Sequence, residues 1–172
     1  MEKIKANLVE SEISSNSKSA HHLFEKSKFG EKIEDKVHYL PVEALFLLEE
    51  KKLEIFQKNK KLSKQDFLTK LQKSDKKIQT KYIVFKDLRK KGYGVKTALK
   101  FGTEFRVYDK GKKPGQTHAK WLVITDKESS KAHWYEFSSK NRVAHSTRKK
   151  LLLALVDEEG KIIYYEISWV KP

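Results

Sequence analysis

Three side chains between Phe101 and Gly160 could move protons and hold negative charge: Tyr108, His118 and Lys149. A tyrosine or histidine placed against a reacting group can take or give a proton, and each such group typically contributes ~10²–10⁴-fold. A lysine ammonium can stabilise the charge that develops. Metal chemistry has less to work with. His21 and His22 are adjacent rather than spaced for ligation on a helix, and His38, His133 and His145 have no partner at i+2 to i+4 that suggests a site. No carboxylate pair on a strand is followed by the lysine of a two-metal nuclease. HExxH, P-loop and GxGxxG patterns are absent. The expectation is a site with no metal and no cofactor. RNA offers such chemistry: its 2′-hydroxyl can attack the neighbouring phosphate, given a base, an acid and a cation.

The elements around these residues decide whether they can meet. Tyr108 ends an expected strand, Phe105–Tyr108, and opens into the basic loop Asp109–Gln116. His118 follows that loop at the start of a strand expected over Ala119–Thr125, so a hairpin carries both to one sheet edge. Lys149 sits in Arg148-Lys149-Lys150, between a helix expected over Ser139–Lys149, capped by Ser138 or Ser139, and a strand expected over Leu151–Val156. That strand is apolar on both faces and so central. Each residue also has an ordinary use: packing for a strand-end tyrosine, solvation for a loop histidine, dipole capping for a basic helix end. Spacing alone does not bring the three together.

The remaining elements read as scaffold. Ser11–Ser19 suggests a loop, and Leu23, Phe24, Ile33 and Val37 suggest short strands with a turn at Gly30. Pro41–Leu48 reads as a helix, Leu53–Phe56 as a strand, and Ser63 as the N-cap of a helix bearing Phe67, Leu68 and Leu71. Ser74–Thr80 is the spacer. A helix with Tyr82, Phe85 and Leu88 ends at Gly92, and Val95–Phe101 alternates as a strand. The last strand is expected over Ile162–Val170. The fold class is α+β: a small structural module over residues 1–80, then a second domain over residues 81–172 with a mixed sheet flanked by helices.

Composition narrows the partners. The chain of 172 residues carries 38 Lys+Arg against 23 Asp+Glu, a net charge of +15. Self-repulsion on that scale points to a polyanionic partner, nucleic acid first and an anionic membrane second. A lysine- and glutamate-rich thermophile surface would give a similar composition. There are no cysteines, which excludes disulfides and thiolate chemistry. No apolar run approaches ~18 residues, and Met1–Ser19 lacks the apolar core of a signal peptide. A soluble, cytoplasmic protein is expected.

Gly92–Pro172 resembles the catalytic domain of the archaeal tRNA-intron splicing endonucleases. The matching pieces are GYGVKTALKFGTEFRVYDKG (Gly92–Gly111), Thr117-His118, RVAHSTRKKLLLALVDEEG (Arg142–Gly160) and IIYYEISWVKP (Ile162–Pro172). YLPVEALFLLE (Tyr39–Glu49) resembles the family's N-terminal domain. The resemblance implies a nuclease in which Tyr108 is the general base, His118 the general acid and Lys149 the transition-state stabiliser. Lys149 fits the family's separations better than Lys150, and on a helix the two would point ~100° apart. It further implies that Arg142 and Trp169, from different subunits, sandwich a splayed bulge base, and that the acidic turn Asp157-Glu158-Glu159 docks into a neighbouring subunit. A solvated hairpin tip is the plainer reading of that turn. The implied substrate is precursor tRNA with a bulge-helix-bulge, and the products are 2′,3′-cyclic phosphate and 5′-hydroxyl ends. The implied assembly is a homotetramer, or a heterotetramer with a structural subunit. A non-catalytic RNA-binding subunit is the alternative, and would be expected to lack the triad.

Overall fold

Apolar–polar alternation builds the first sheet. Ile4, Ala6 and Leu8 of β1 (Ile4–Val9) are buried and their neighbours face outward, as a strand with one solvated face requires. The computed structural model describes residues 2–112 and 114–172. The chain divides into two units, one running to Tyr82 and one from Ile83 to Pro172.

In the first unit β1 is followed by β2 (Glu12–Ser15), α1 (Lys18–Ser27), β3 (Glu31–Ile33) and β4 (Lys36–Tyr39). Then come α2 (Pro41–Glu49), β5 (Leu53–Gln57), β6 (Lys60–Lys61) and α3 (Lys64–Ser74). The strands form one mixed sheet in the order β3-β4-β2-β1-β5-β6, with β1 and β5 parallel. Leu45 and Leu47 of α2, Ile55 of β5 and Phe67 of α3 are fully buried. Glu43 is also buried, and its carboxylate accepts bonds from the Gly30 and Leu40 amides (3.2 and 3.1 Å), which satisfies a charge that would otherwise be costly to bury.

The second unit contains most of α4 (Ile78–Lys90), then β7 (Gly94–Thr97), a 3₁₀ turn (Leu99–Phe101), β8 (Phe105–Tyr108) and β9 (Trp121–Lys127). It ends with α5 (Trp134–Ser146), β10 (Lys150–Val156) and β11 (Ile162–Ile167). The sheet order is β11-β10-β9-β8-β7, and only β9 and β10 are parallel. A parallel pair needs a crossover, and α5 supplies it. Ala144 of α5 packs with Leu122, Ile124 and Leu151 on one face of the sheet. Phe85 of α4 meets Phe105 on the other (ring centroids 5.8 Å). The molecule is thus α+β, with a mixed sheet between helices in its second unit. Among the described residues no helix is long and apolar enough to cross a membrane.

Several expected boundaries shift. Leu23 and Phe24 lie in α1, not in a strand, because Ser17 caps it by accepting from the Ala20 amide (3.2 Å). The serine-rich stretch is therefore strand β2 and a helix start rather than a loop. The strand expected to reach Phe101 stops at Thr97, and Leu99 is left 77% exposed by the 3₁₀ turn. The expected Ala119–Thr125 strand begins at Trp121 and runs to Lys127. The helix before Lys149 starts at Trp134 with His133 at its N-cap, and ends at Ser146. The last strand ends at Ile167, short of Trp169.

Candidate active site

The sheet topology carries three distant segments to one end. β8 runs toward that end and stops at Tyr108, and β9 and β10 both start there. Val107 pairs with Trp121, and Trp121 with Lys150. The Lys120 amide donates to the Val107 carbonyl (2.8 Å) and the Lys150 amide to the Lys120 carbonyl (3.0 Å). Two strand spacings, ~10 Å, thus separate the backbones of Tyr108 and Lys149. Two long side chains can span that gap to one substrate group.

Tyr108 is 5% exposed. Gly94 stands opposite it, and a Cβ there would meet the Tyr108 Cβ at 3.3 Å and the Lys112 carbonyl at 3.1 Å. Glycine lets the chain after Tyr108 fold back over β7. Gly111 and Gly115 take left-handed φ of +73° and +90° in that loop. A bridge between Pro114 and Thr117 closes it, and Lys120 approaches Asp109 (3.8 Å). His118, exposed, follows the bridge directly.

Lys149 is held by the end of α5. The Arg148 amide donates to the His145 carbonyl (3.0 Å) and the Lys149 amide to the Ala144 carbonyl (2.8 Å). Arg148 is left-handed, φ +56°. These are the paired bonds of a Schellman motif, with Lys149 as its last residue. The Lys149 ammonium donates to the Thr147 carbonyl (2.9 Å) and lies 5.4 Å from the centre of the Phe101 ring. Its pKa is held below the usual lysine value, first by desolvation and then by the cations of Arg106 and Lys100. Neither Lys149 nor Lys150 is helical, so rotation about a helix does not separate them. Strand alternation does: Lys150 bonds the Glu166 carboxylate (2.5 Å) on the neighbouring strand and is neutralised there.

Arg142 is an exposed residue in the middle of α5. Trp169 is 50% exposed and its ring packs against His145, centroids 4.7 Å apart. His145 lies one turn after Arg142 and so on the same side of α5. The acidic turn lies at the other end of β10. Asp157 is spent on the turn itself, its carboxylate accepting from the Lys161 amide (2.8 Å). Glu159 pairs with Lys161 (2.6 Å), and Glu158 is exposed.

Sequence reasoning weighed His145 as a metal ligand alone and did not single out Arg106 or Lys100. The signal for Arg106 was the period of two: it precedes Tyr108 by two residues on one strand and shares its face. For His145 it was the i+3 spacing from Arg142. A cavity of about 160 Å³ lined by Ile124, Phe137, Leu153 and Leu155 contains none of the three chemical residues. Among the described residues no group of three His, Asp or Glu side chains is placed to hold a metal ion.

Comparison with known proteins covers both units of the chain. Residues 78–164 match the family model of the tRNA intron endonuclease catalytic C-terminal domain, and residues 4–68 that of the tRNA intron endonuclease N-terminal domain. A tRNA-splicing endonuclease of Nanoarchaeum equitans is 47% identical over 137 residues, covering 76% of this chain and 88% of the relative. One from Methanothermobacter thermautotrophicus is 40% identical over 153 residues, covering 89% of each. One from Pyrococcus horikoshii is 40% identical over 159 residues, covering 92% of this chain and 91% of the relative. With both domain models matched in order along its length, the chain belongs to the tRNA intron endonuclease family.

Proposed function

We propose that this chain is a tRNA-splicing endonuclease that cuts precursor tRNA at bulge-helix-bulge junctions by 2′-hydroxyl attack. The observation that carries the reading is the arrival of Tyr108, His118 and Lys149 at one end of one sheet, from three separate segments. Tyr108 takes the proton of the 2′-hydroxyl. The 2′-oxygen attacks the adjacent phosphorus, and the bond from phosphorus to the 5′-oxygen breaks. His118 gives its proton to that oxygen, leaving a 2′,3′-cyclic phosphate and a 5′-hydroxyl. Lys149 faces the charge on the crowded phosphate oxygens and has no carboxylate partner among the described residues. In this scheme the lysine supplies the positive charge that a metal ion would otherwise bring.

Arg142 and Trp169, each from a different subunit, hold a splayed bulge base between guanidinium and indole, a contact worth ~1–3 kcal/mol per base. His145 keeps Trp169 on the Arg142 side of α5. Two bulges need two sites at fixed separation, so assembly belongs to the function. We place it at Glu158 and Glu159, in a homotetramer, with a heterotetramer as the second arrangement. Residues 1–80 and 81–172 serve as structural and catalytic domains.

The test uses the pure chain alone with a bulge-helix-bulge RNA and a chelator. His118→Ala is expected to lose ~10²–10⁴-fold in cleavage rate, and Lys149→Ala ~10²–10³-fold, with RNA binding kept. Products ending in cyclic phosphate are expected with chelator present. Full activity in either variant, or loss of wild-type activity with chelator, would sink the assignment.

A further inference from the structure

We propose that Arg106 and Lys100 form a phosphate seat beside Lys149, gripping a backbone phosphodiester of the bound RNA strand. The proposal rests on the RNA-cleaving reading above and adds residues to it.

The geometry starts from β8. Arg106 and Tyr108 are two apart on one strand and share a face. Leu122, paired with Arg106, belongs to the cluster under α5 together with Phe101. The Arg106 Nε is buried and meets no hydrogen-bond partner. A buried donor left unpaired is rare enough to need a cause. The acid on the same face, Glu104, is turned toward the Thr125 amide (3.2 Å). Lys100 and Lys149 are fixed by one ring: their ammonium groups lie 5.2 and 5.4 Å from the centre of Phe101.

Three cations thus lie on the α5 face of the sheet, around the Phe101 ring and along β8, with no carboxylate paired to them among the described residues. By contrast Lys150 is neutralised by Glu166 and Lys91 by Asp87. An anion from outside resolves the repulsion. A phosphodiester fits best, because a guanidinium fork matches two phosphate oxygens and keeps its charge. Lys149 then remains free for the transition state while Arg106 and Lys100 carry ground-state binding.

The experiment uses the full chain and two RNAs of one sequence. One is a bulged precursor; the other carries 2′-deoxy sugars at both cleavage positions, so that it binds without reacting. Binding of the deoxy RNA is titrated across potassium chloride concentrations for wild type, Arg106→Gln, Arg106→Lys and Lys100→Gln. Single-turnover cleavage of the reactive RNA is measured beside it. Arg106→Gln is expected to weaken binding ~10-fold or more. It and Lys100→Gln should each flatten the slope of log affinity against log salt by ~0.7–0.9, the signature of one lost phosphate contact. Arg106→Lys should restore the slope and leave part of the affinity loss, because it keeps charge without the fork. Unchanged slopes in Arg106→Gln and Lys100→Gln would overturn the seat. Lys100 is exposed, so its variant decides the question even where Arg106→Gln fails to fold. A wild type that binds the deoxy RNA but cleaves nothing refutes the cleavage reading and leaves the slopes to judge the seat. A wild type that binds neither RNA refutes both.

Discussion

At the scale of single residues, the chain's tyrosines divide by their partners. Tyr82 donates to Glu49 (2.5 Å) and Tyr164 to Asp87 (2.7 Å). Burial first and these carboxylates second push both phenols well above the ordinary tyrosine range. They are structural groups, unsuited to taking a proton. Tyr108 is followed directly by the basic loop. Lys149 supports a pH prediction. Its pKa lies below that of a free lysine, because of desolvation and the nearby Arg106 and Lys100. A charged Lys149 is required in the proposed reaction, so cleavage should fall on the alkaline side as it loses its proton. Lys100→Gln removes one repulsive cation and should move that limb to higher pH, read from single-turnover rates. The sign for stability is opposite to that of a salt-bridged lysine. Between the folded and unfolded pKa values the unfolded chain binds more protons, so this group's contribution makes stability rise with pH there. The candidates Tyr108, His118 and Lys149 were picked from the sequence by type and by family pattern, and the proposed reaction keeps them. The reason to prefer Lys149 over its neighbour was not legible there, since Glu166, which neutralises Lys150, lies on the adjacent strand.

At the scale of elements, the turn from α5 into β10 does the positioning. Its left-handed residue is Arg148, where glycine is usual. A non-glycine residue there costs ~1–2 kcal/mol, partly offset by glycine's extra freedom in the unfolded chain. Arg148→Gly should therefore stabilise the chain by ~0.5–1 kcal/mol, seen as a higher melting temperature, with cleavage retained. A lower melting temperature would mean that the Arg148 side chain makes a contact worth more than the strain. The elements themselves were unevenly legible. α2, α3 and α4 announce themselves through strong helix formers and an N-cap at Ser63. α1 does not: its buried positions are just Ala20 and Leu23, with mean hydropathy low along its length. The 3₁₀ turn at Leu99–Phe101 copies the alternation of the strand before it, and only tertiary packing of Phe101 under α5 separates the two.

At the scale of the whole molecule, charge and assembly take over. The excess of +15 needs an anion to gather around, and the acidic turn after β10 is a local exception to it. Asp157 already serves the turn and Glu159 pairs with Lys161, both on the exposed side, and the proposed assembly contact uses Glu158 and Glu159. The double variant Glu158→Lys, Glu159→Lys should keep the fold, lower the solution mass and lose cleavage with it. A mass equal to that of wild type by light scattering would place the assembly contact elsewhere. The whole-chain outline was legible because both domains carry family motifs, while the assembly is a property of surfaces that no single chain displays.

β10 links these two regions. It is seven residues long, ~20 Å from end to end, with Lys149 just before it and the acidic turn just after. It acts as a fixed ruler between the end that carries the proposed chemistry and the end we assign to assembly. On this reading the partner surface and the proposed chemistry sit at opposite ends of one strand, so a substitution in the turn changes the partner surface without moving the residues around Lys149.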